Sequence, residues 1–148
     1  MNTIINNTGR EMPNLLSMVD KFVKFAQDRM NFNKPVGVEL ISDSENGQIL
    51  LGKTAYYDRN NFKVCIFVDN RHPKDILRSL SHELMHHAQN CRGDFNNIGH
   101  LEDGYAQNNK HMRELEREAY EAAIVLRDFE DSIKKEEKNQ ITLDEWKN

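Results

Sequence analysis

The sequence predicts an α+β fold in a single domain, on three observations. Helical periodicity dominates both ends of the chain, three short strand-like runs lie between them, and turn-type residues separate those runs. With 148 residues, 38% hydrophobic content and a mean hydropathy of −0.79, there is room for one modest core under a heavily charged surface. The expected order is an N-terminal helix, a small and mostly antiparallel three-stranded sheet, a histidine-bearing helix, and a glutamate-bearing C-terminal helix.

Residues 1–12 are rich in Asn and Thr and are expected to be a loose N-terminus. Leu15, Val19, Phe22, Ala26 and Met30 then recur at the helical period, and Pro35 follows the end of that first helix. Val36 to Ile41, Gln48 to Tyr57 and Phe62 to Val68 read as strands. The breaks between them, Ser42 to Gly47 and Asp58 to Asn61, are short and turn-like, which favours an antiparallel meander.

Pro73 suits the first position of a second helix and Gly93 its stop, with Ile76, Leu77, Leu80, Leu84 and Ala88 as the buried stripe. From Asp94 to Asn109 the chain has no periodicity, and it is read as a loop crossing between helices; loops of that length in a compact domain are usually functional. Lys110 to Lys135 is strongly helical, with a stripe through Leu115, Ala122, Val125 and Phe129. Residues 134–148 form a charged C-terminal tail in which Ile141, Leu143 and Trp146 are isolated apolar positions.

Composition narrows the function classes. The formal net charge is −4 and basic residues alternate with acidic ones, so no nucleic-acid footprint is expected. No apolar run approaches about 18 residues and the N-terminus lacks a basic stretch followed by an apolar one, so neither a membrane span nor a secretion signal is expected. Cys65 and Cys91 read as reduced core residues, which makes a cytoplasmic protein the default. A monomer is expected.

The most specific stretch is His82-Glu83-x-x-His86. On a helix, positions i and i+4 share a face, so two imidazoles can grip one zinc ion while the adjacent Glu reaches its bound water as general base. His82 and His86 fall opposite the apolar stripe, beside Asp75 and Ser79. His87 and Cys91 fall on the stripe and read as a buried pair rather than a second metal site. Two histidines leave a zinc centre one protein ligand short. The continuation His-x-x-Gly-x-x-His is absent, because Gln89 and Arg92 occupy its Gly and His positions.

Asp94, His100 and several glutamates remain as candidates for the third ligand. Glu118 lies in the middle of the apolar stripe, where a lone carboxylate is costly unless paired or metal-bound, whereas Glu116 is placed on the outer face. Glu114 and Glu121 flank the stripe as weaker candidates. The structural alternative for Glu118 is an ion pair with Arg92 or Arg113. For a second donor to a tetrahedral oxyanion, Tyr105 and His111 stand open. A peptide substrate is expected along an exposed sheet edge, with Lys53 to Tyr57 as the stretch to watch.

These residues resemble the gluzincins, whose zinc is held by His-Glu-x-x-His and a Glu on a following helix, commonly before an Ala. The matching positions are His82, Glu83, His86 and, in Arg117-Glu118-Ala119-Tyr120, Glu118. The small size and element order are similar to the minigluzincins, compact metallopeptidases. The run from His82 to Phe95 followed by Met112 to Tyr120 also resembles small predicted metallopeptidases of contractile-tailed bacteriophages. The resemblance covers residues 60 to 133. It implies a zinc metallopeptidase acting on a peptide or protein substrate, in a host cytoplasm or a virion. It also allows a latent form in which the C-terminal tail, anchored by Trp146, lies across the cleft. Thermolysin-like gluzincins carry an Asp four residues after the ligand Glu; Ala122 stands there, which leaves Glu121, Asp128 or Asp75 to orient a histidine. The competing class is a zinc-stabilised structural or assembly protein, and Glu83 argues against it, because a structural site has no use for a carboxylate beside an open water position. A hydrolase for a non-peptide amide would use the same chemistry.

Overall fold

The computed structural model describes residues 1–43, 54–96 and 110–147, with side chains as far as residue 137. Short runs of β-branched and aliphatic residues build its sheet. Strand β1 is Thr3–Asn7, β2 Gly37–Ile41, β3 Ala55–Asp58 and β4 Lys63–Phe67, in the spatial order β1-β2-β4-β3. Val38 and Leu40 on β2 pair with Val64 and Ile66 on β4 and are all fully buried, so one face of the sheet forms the floor of the core.

The α+β class is as expected, but the sheet is not a three-stranded antiparallel meander. It has a fourth strand and is mixed: β1 pairs parallel with β2, β2 parallel with β4, and only β3 antiparallel with β4. The segment expected to be loose supplies β1. Its Thr3 amide donates to the Val36 carbonyl (3.1 Å), while the Asn2 side chain accepts from the Val36 amide (2.9 Å). Helix α1 (Pro13–Met30) returns the chain from β1 to β2, the connection that parallel neighbours need. Between β3 and β4, the Asp58 carboxylate caps the amides of Asn60 and Asn61 (3.1 and 3.3 Å), and Phe62 takes a left-handed conformation (φ 53°) to close the turn. Of the strand expected over Gln48 to Tyr57, residues 48–53 lie outside the described residues.

Helix α2 (Pro73–Cys91) packs its stripe of Ile76, Leu77, Leu80, Leu84 and Ala88 into the core, all of them buried. It is entered through His72, whose side chain accepts from the Lys74 amide (3.0 Å), and left through Gly93 at φ +84°, a conformation that favours glycine. Helix α1 contributes Leu15, Val19, Phe22, Val23 and Ala26. The helix expected over 110–135 is instead two, α3 (Lys110–Glu121) and α4 (Ala123–Lys147), with Ala122 between them. Phe129 on α4 meets Phe22 and Phe25 edge-on, with ring centroids 5.1 and 5.4 Å apart. The backbone of the expected tail is helical as a continuation of α4, and Ile141, Leu143 and Trp146 lie beyond the described side chains. Among the described residues no helix is long and apolar enough to cross a membrane.

Because Leu84 is fully buried in the stripe that docks α2, Leu84→Ala should lower stability by about 2–5 kcal/mol in urea unfolding. A loss below about 1 kcal/mol would contradict this docking.

Candidate metal centre

Two long-range contacts place α2 beside β3 and α3. The guanidinium of Arg71 donates to the carbonyls of Thr54 (3.0 Å), Phe67 (2.9 Å) and Asp75 (2.8 Å) and to Ser79 Oγ (2.6 Å), tying the start of α2 to β3 and β4. The fully buried Ser81 hydroxyl donates to the Ala122 carbonyl (2.8 Å), which pins the α3–α4 junction against the middle of α2.

With the stripe of α2 turned inward, His82 and His86 project from its other side toward α3, their ring centroids 5.0 Å apart. The carboxylate that meets them is Glu116. Its Oε2 lies 3.5 Å from His82 Nε2 and its Oε1 3.0 Å from His86 Nε2. One ligand atom from each of the three residues falls within 4.8 Å of the others, so the group could hold a metal ion. Two imidazole nitrogens and a carboxylate oxygen are a donor set that suits zinc. Hydrogen bonds from His82 and His86 hold the Glu116 carboxyl far below its ordinary range. Burial opposes charge on His86, yet hydrogen bonds to Glu116 and Gln89 carry its pKa above the usual value.

Glu118, expected as third ligand, is directed elsewhere. Its Oε1 accepts from Arg92 (2.7 Å) and from Gln89 Nε2 (2.8 Å), and Arg92 also holds Asp94 (2.6 Å). The Arg92 contact holds the Glu118 carboxyl below its usual value. This is the Arg92 ion pair weighed from the sequence. The reason is the rotation of α3: its buried residues are Met112, Leu115 and Ala119, so Glu116 and Glu118 lie on opposite flanks of the stripe, one toward the histidines and one toward Arg92. Glu114 is exposed, Glu121 faces Arg117 (3.9 Å), and His100 lies outside the described residues.

Glu83 is partly buried between two cavities. One, of about 400 Å³, is lined with His82 and Glu83 by Thr54, Arg78, Ser79 and Tyr120; the other, of about 330 Å³, is lined with His82, Glu83 and His86 by Tyr56, Arg59 and Phe95. Burial pushes the Glu83 pKa up, against the pull of His86 and His82 and with a smaller push from Glu116. The Tyr120 ring meets His82 edge-on at 4.6 Å.

The residues expected to orient the histidines do not reach them. Asp75 pairs with Arg78 (2.7 Å), Asp128 pairs with Arg29, and Glu121 faces Arg117. Instead Gln89, fully buried, places Oε1 2.8 Å from His86 Nδ1. His111 is exposed, with Nε2 2.8 Å from the Asp94 carbonyl, and Tyr105 lies outside the described residues. Glu116, which the sequence reading sets on the outer face, is instead the carboxylate turned to the histidines, and Gln89 and Tyr120 were not anticipated. The available signal was spacing, since Glu116 is four residues after Met112 and three before Ala119.

His87 faces away from the centre and is fully buried. Its Nδ1 lies 2.7 Å from the Tyr57 hydroxyl and its Nε2 2.8 Å from the Lys34 carbonyl and 3.5 Å from Cys91 Sγ. Burial lowers its pKa and raises that of Tyr57 to about 12. His87→Leu removes the bonds of a fully buried imidazole to the Tyr57 hydroxyl and the Lys34 carbonyl and should lower stability by about 1–3 kcal/mol while leaving metal binding at His82 and His86 unchanged, as read by calorimetry and elemental analysis. Loss of the metal in this variant would contradict the separation of the two histidine sites.

Comparisons with protein-family models, with known proteins and with solved structures find no match to this chain. Any functional reading therefore stands on the residues and their geometry.

Proposed function

We propose that the chain is a zinc-dependent metallopeptidase of the gluzincin type, with His82, His86 and Glu116 as the protein ligands and Glu83 as general base. The observation that carries the reading is the approach of the Glu116 carboxylate to the Nε2 atoms of both motif histidines, 3.5 and 3.0 Å away. The proposed ligand set keeps the gluzincin order of two helix histidines and a later helix glutamate, with the glutamate moved from 118 to 116. All three ligands come from one chain, so the centre needs no partner subunit.

Zinc held there would lower the pKa of a bound water and polarise a carbonyl. The remaining chemistry belongs to the chain. Glu83 takes the proton of the attacking water and delivers it to the leaving amine, and its raised pKa brings a carboxylate closer to that two-way duty. The two cavities on either side of Glu83 offer room for substrate groups flanking the scissile bond. Strand β3 ends the order of described strands, and Thr54 to Tyr57 border these cavities, which supports a peptide laid beside that edge.

A second reading, a zinc-stabilised structural or assembly component, is favoured by the number of contacts that join α2 to α3 around the centre. Glu83→Gln separates the two readings. The variant should keep its zinc and lose about 10²–10⁴-fold of a chelator-sensitive cleavage of a peptide library. Full activity in the variant would sink the mechanism, and tight zinc with no cleavage by the wild type would favour the structural reading.

A further inference from the structure

We infer that Gln89 is a positioning residue of the centre: its buried amide holds His86 with hydrogen on Nδ1, so that Nε2 is the nitrogen left to a metal ion, and it fastens that orientation to the helix that carries Glu116. The inference rests on the metal reading above. A glutamine amide offers two N–H donors and one accepting oxygen. Gln89 Nε2 faces two groups that only accept, the Leu115 carbonyl (2.9 Å) and Glu118 Oε1 (2.8 Å), so both its donors are used. A flipped amide would set its oxygen against both acceptors.

The oxygen is therefore left facing His86 Nδ1 at 2.8 Å, and because an oxygen there can only accept, the hydrogen sits on Nδ1. The hydrogen that Nε2 presents to Glu116 at 3.0 Å is then the one a metal ion would displace, leaving a neutral ring with its lone pair on Nε2. One residue along the helix the opposite arrangement holds. The Lys34 carbonyl at His87 Nε2 requires the hydrogen there, and Nδ1 accepts from the Tyr57 hydroxyl. The surroundings, not the residue type, thus assign each ring nitrogen its role. Leu115 and Glu118 both belong to α3, so one amide links the ring of His86 to the docking of the Glu116 helix, and Arg92 stiffens the link through Glu118 (2.7 Å).

The test compares Gln89→Met with Gln89→Glu, measuring zinc affinity by chelator competition and stability by unfolding. Gln89→Met removes the acceptor and should weaken zinc binding about 10–100-fold, the usual cost of losing the group behind a ligating histidine. Gln89→Glu keeps an oxygen for His86 Nδ1 but loses both donated bonds, so it should lose stability while binding zinc much more tightly than the Met variant. Unchanged affinity in Gln89→Met, or losses of affinity in both variants that simply follow their stability, would overturn the inference. Should Gln89→Met fail to fold, zinc-loaded wild type still decides. The inference expects an exchange-protected proton on His86 Nδ1 in a proton–nitrogen NMR spectrum, and a freely exchanging proton there contradicts it. A wild type that takes no zinc ends the metal reading and this inference together, whereas the other negative results end the inference alone.

Discussion

The docking of α2 is the constraint on which the rest of the structure depends. Ile76, Leu77, Leu80, Leu84 and Ala88 seal its stripe against the sheet and α1, and an α-helix with one face so committed has no rotational freedom left. His82 and His86 must then emerge on the opposite side, and Glu83, one residue on, must sit partly buried beside them. Arg71 fixes the helix start to the segment that leads into β3 and Ser81 fixes its middle to the α3–α4 junction. Both contacts join segments far apart in sequence, and between them they decide what the histidines face.

Charge placement around α2 follows a simple division. On one flank of α3 a carboxylate meets two imidazoles, and on the other a carboxylate meets a guanidinium, with the Gln89 amide lying between His86 and Glu118. Among the described residues no buried side-chain polar atom lacks a partner, so the cluster is internally satisfied.

What the sequence made legible was local. The α1 and α2 stripes, the helix start at Pro73, the stop near Gly93 and the shared face of His82 and His86 all follow from residues within a few turns of one another. Strand β1 was hidden because an edge strand with little burial need not look apolar: of Thr3 to Asn7 only Ile4 is even partly buried. The parallel pairing of β2 with β4 was hidden because it skips β3, and strand order is settled by contacts between distant segments. The placement of Glu116 and Glu118 turned on the rotation of α3. A stripe drawn through Leu115 and Ala122 passes near both, and the deciding contacts, Ser81 to Ala122 and Arg92 to Glu118, join different helices. Gln89 was visible only as a residue standing where a different zinc motif has glycine; its burial and its three partners come from tertiary packing.

The central claim is that His82, His86 and Glu116 together hold one zinc ion. Its most direct test is zinc stoichiometry by elemental analysis, after dialysis against a weak chelator, on the wild type, Glu116→Ala and Glu118→Ala. The account predicts one zinc per chain in the wild type and in Glu118→Ala, and a sharp loss in Glu116→Ala. Zinc retained by Glu116→Ala and lost by Glu118→Ala would contradict it.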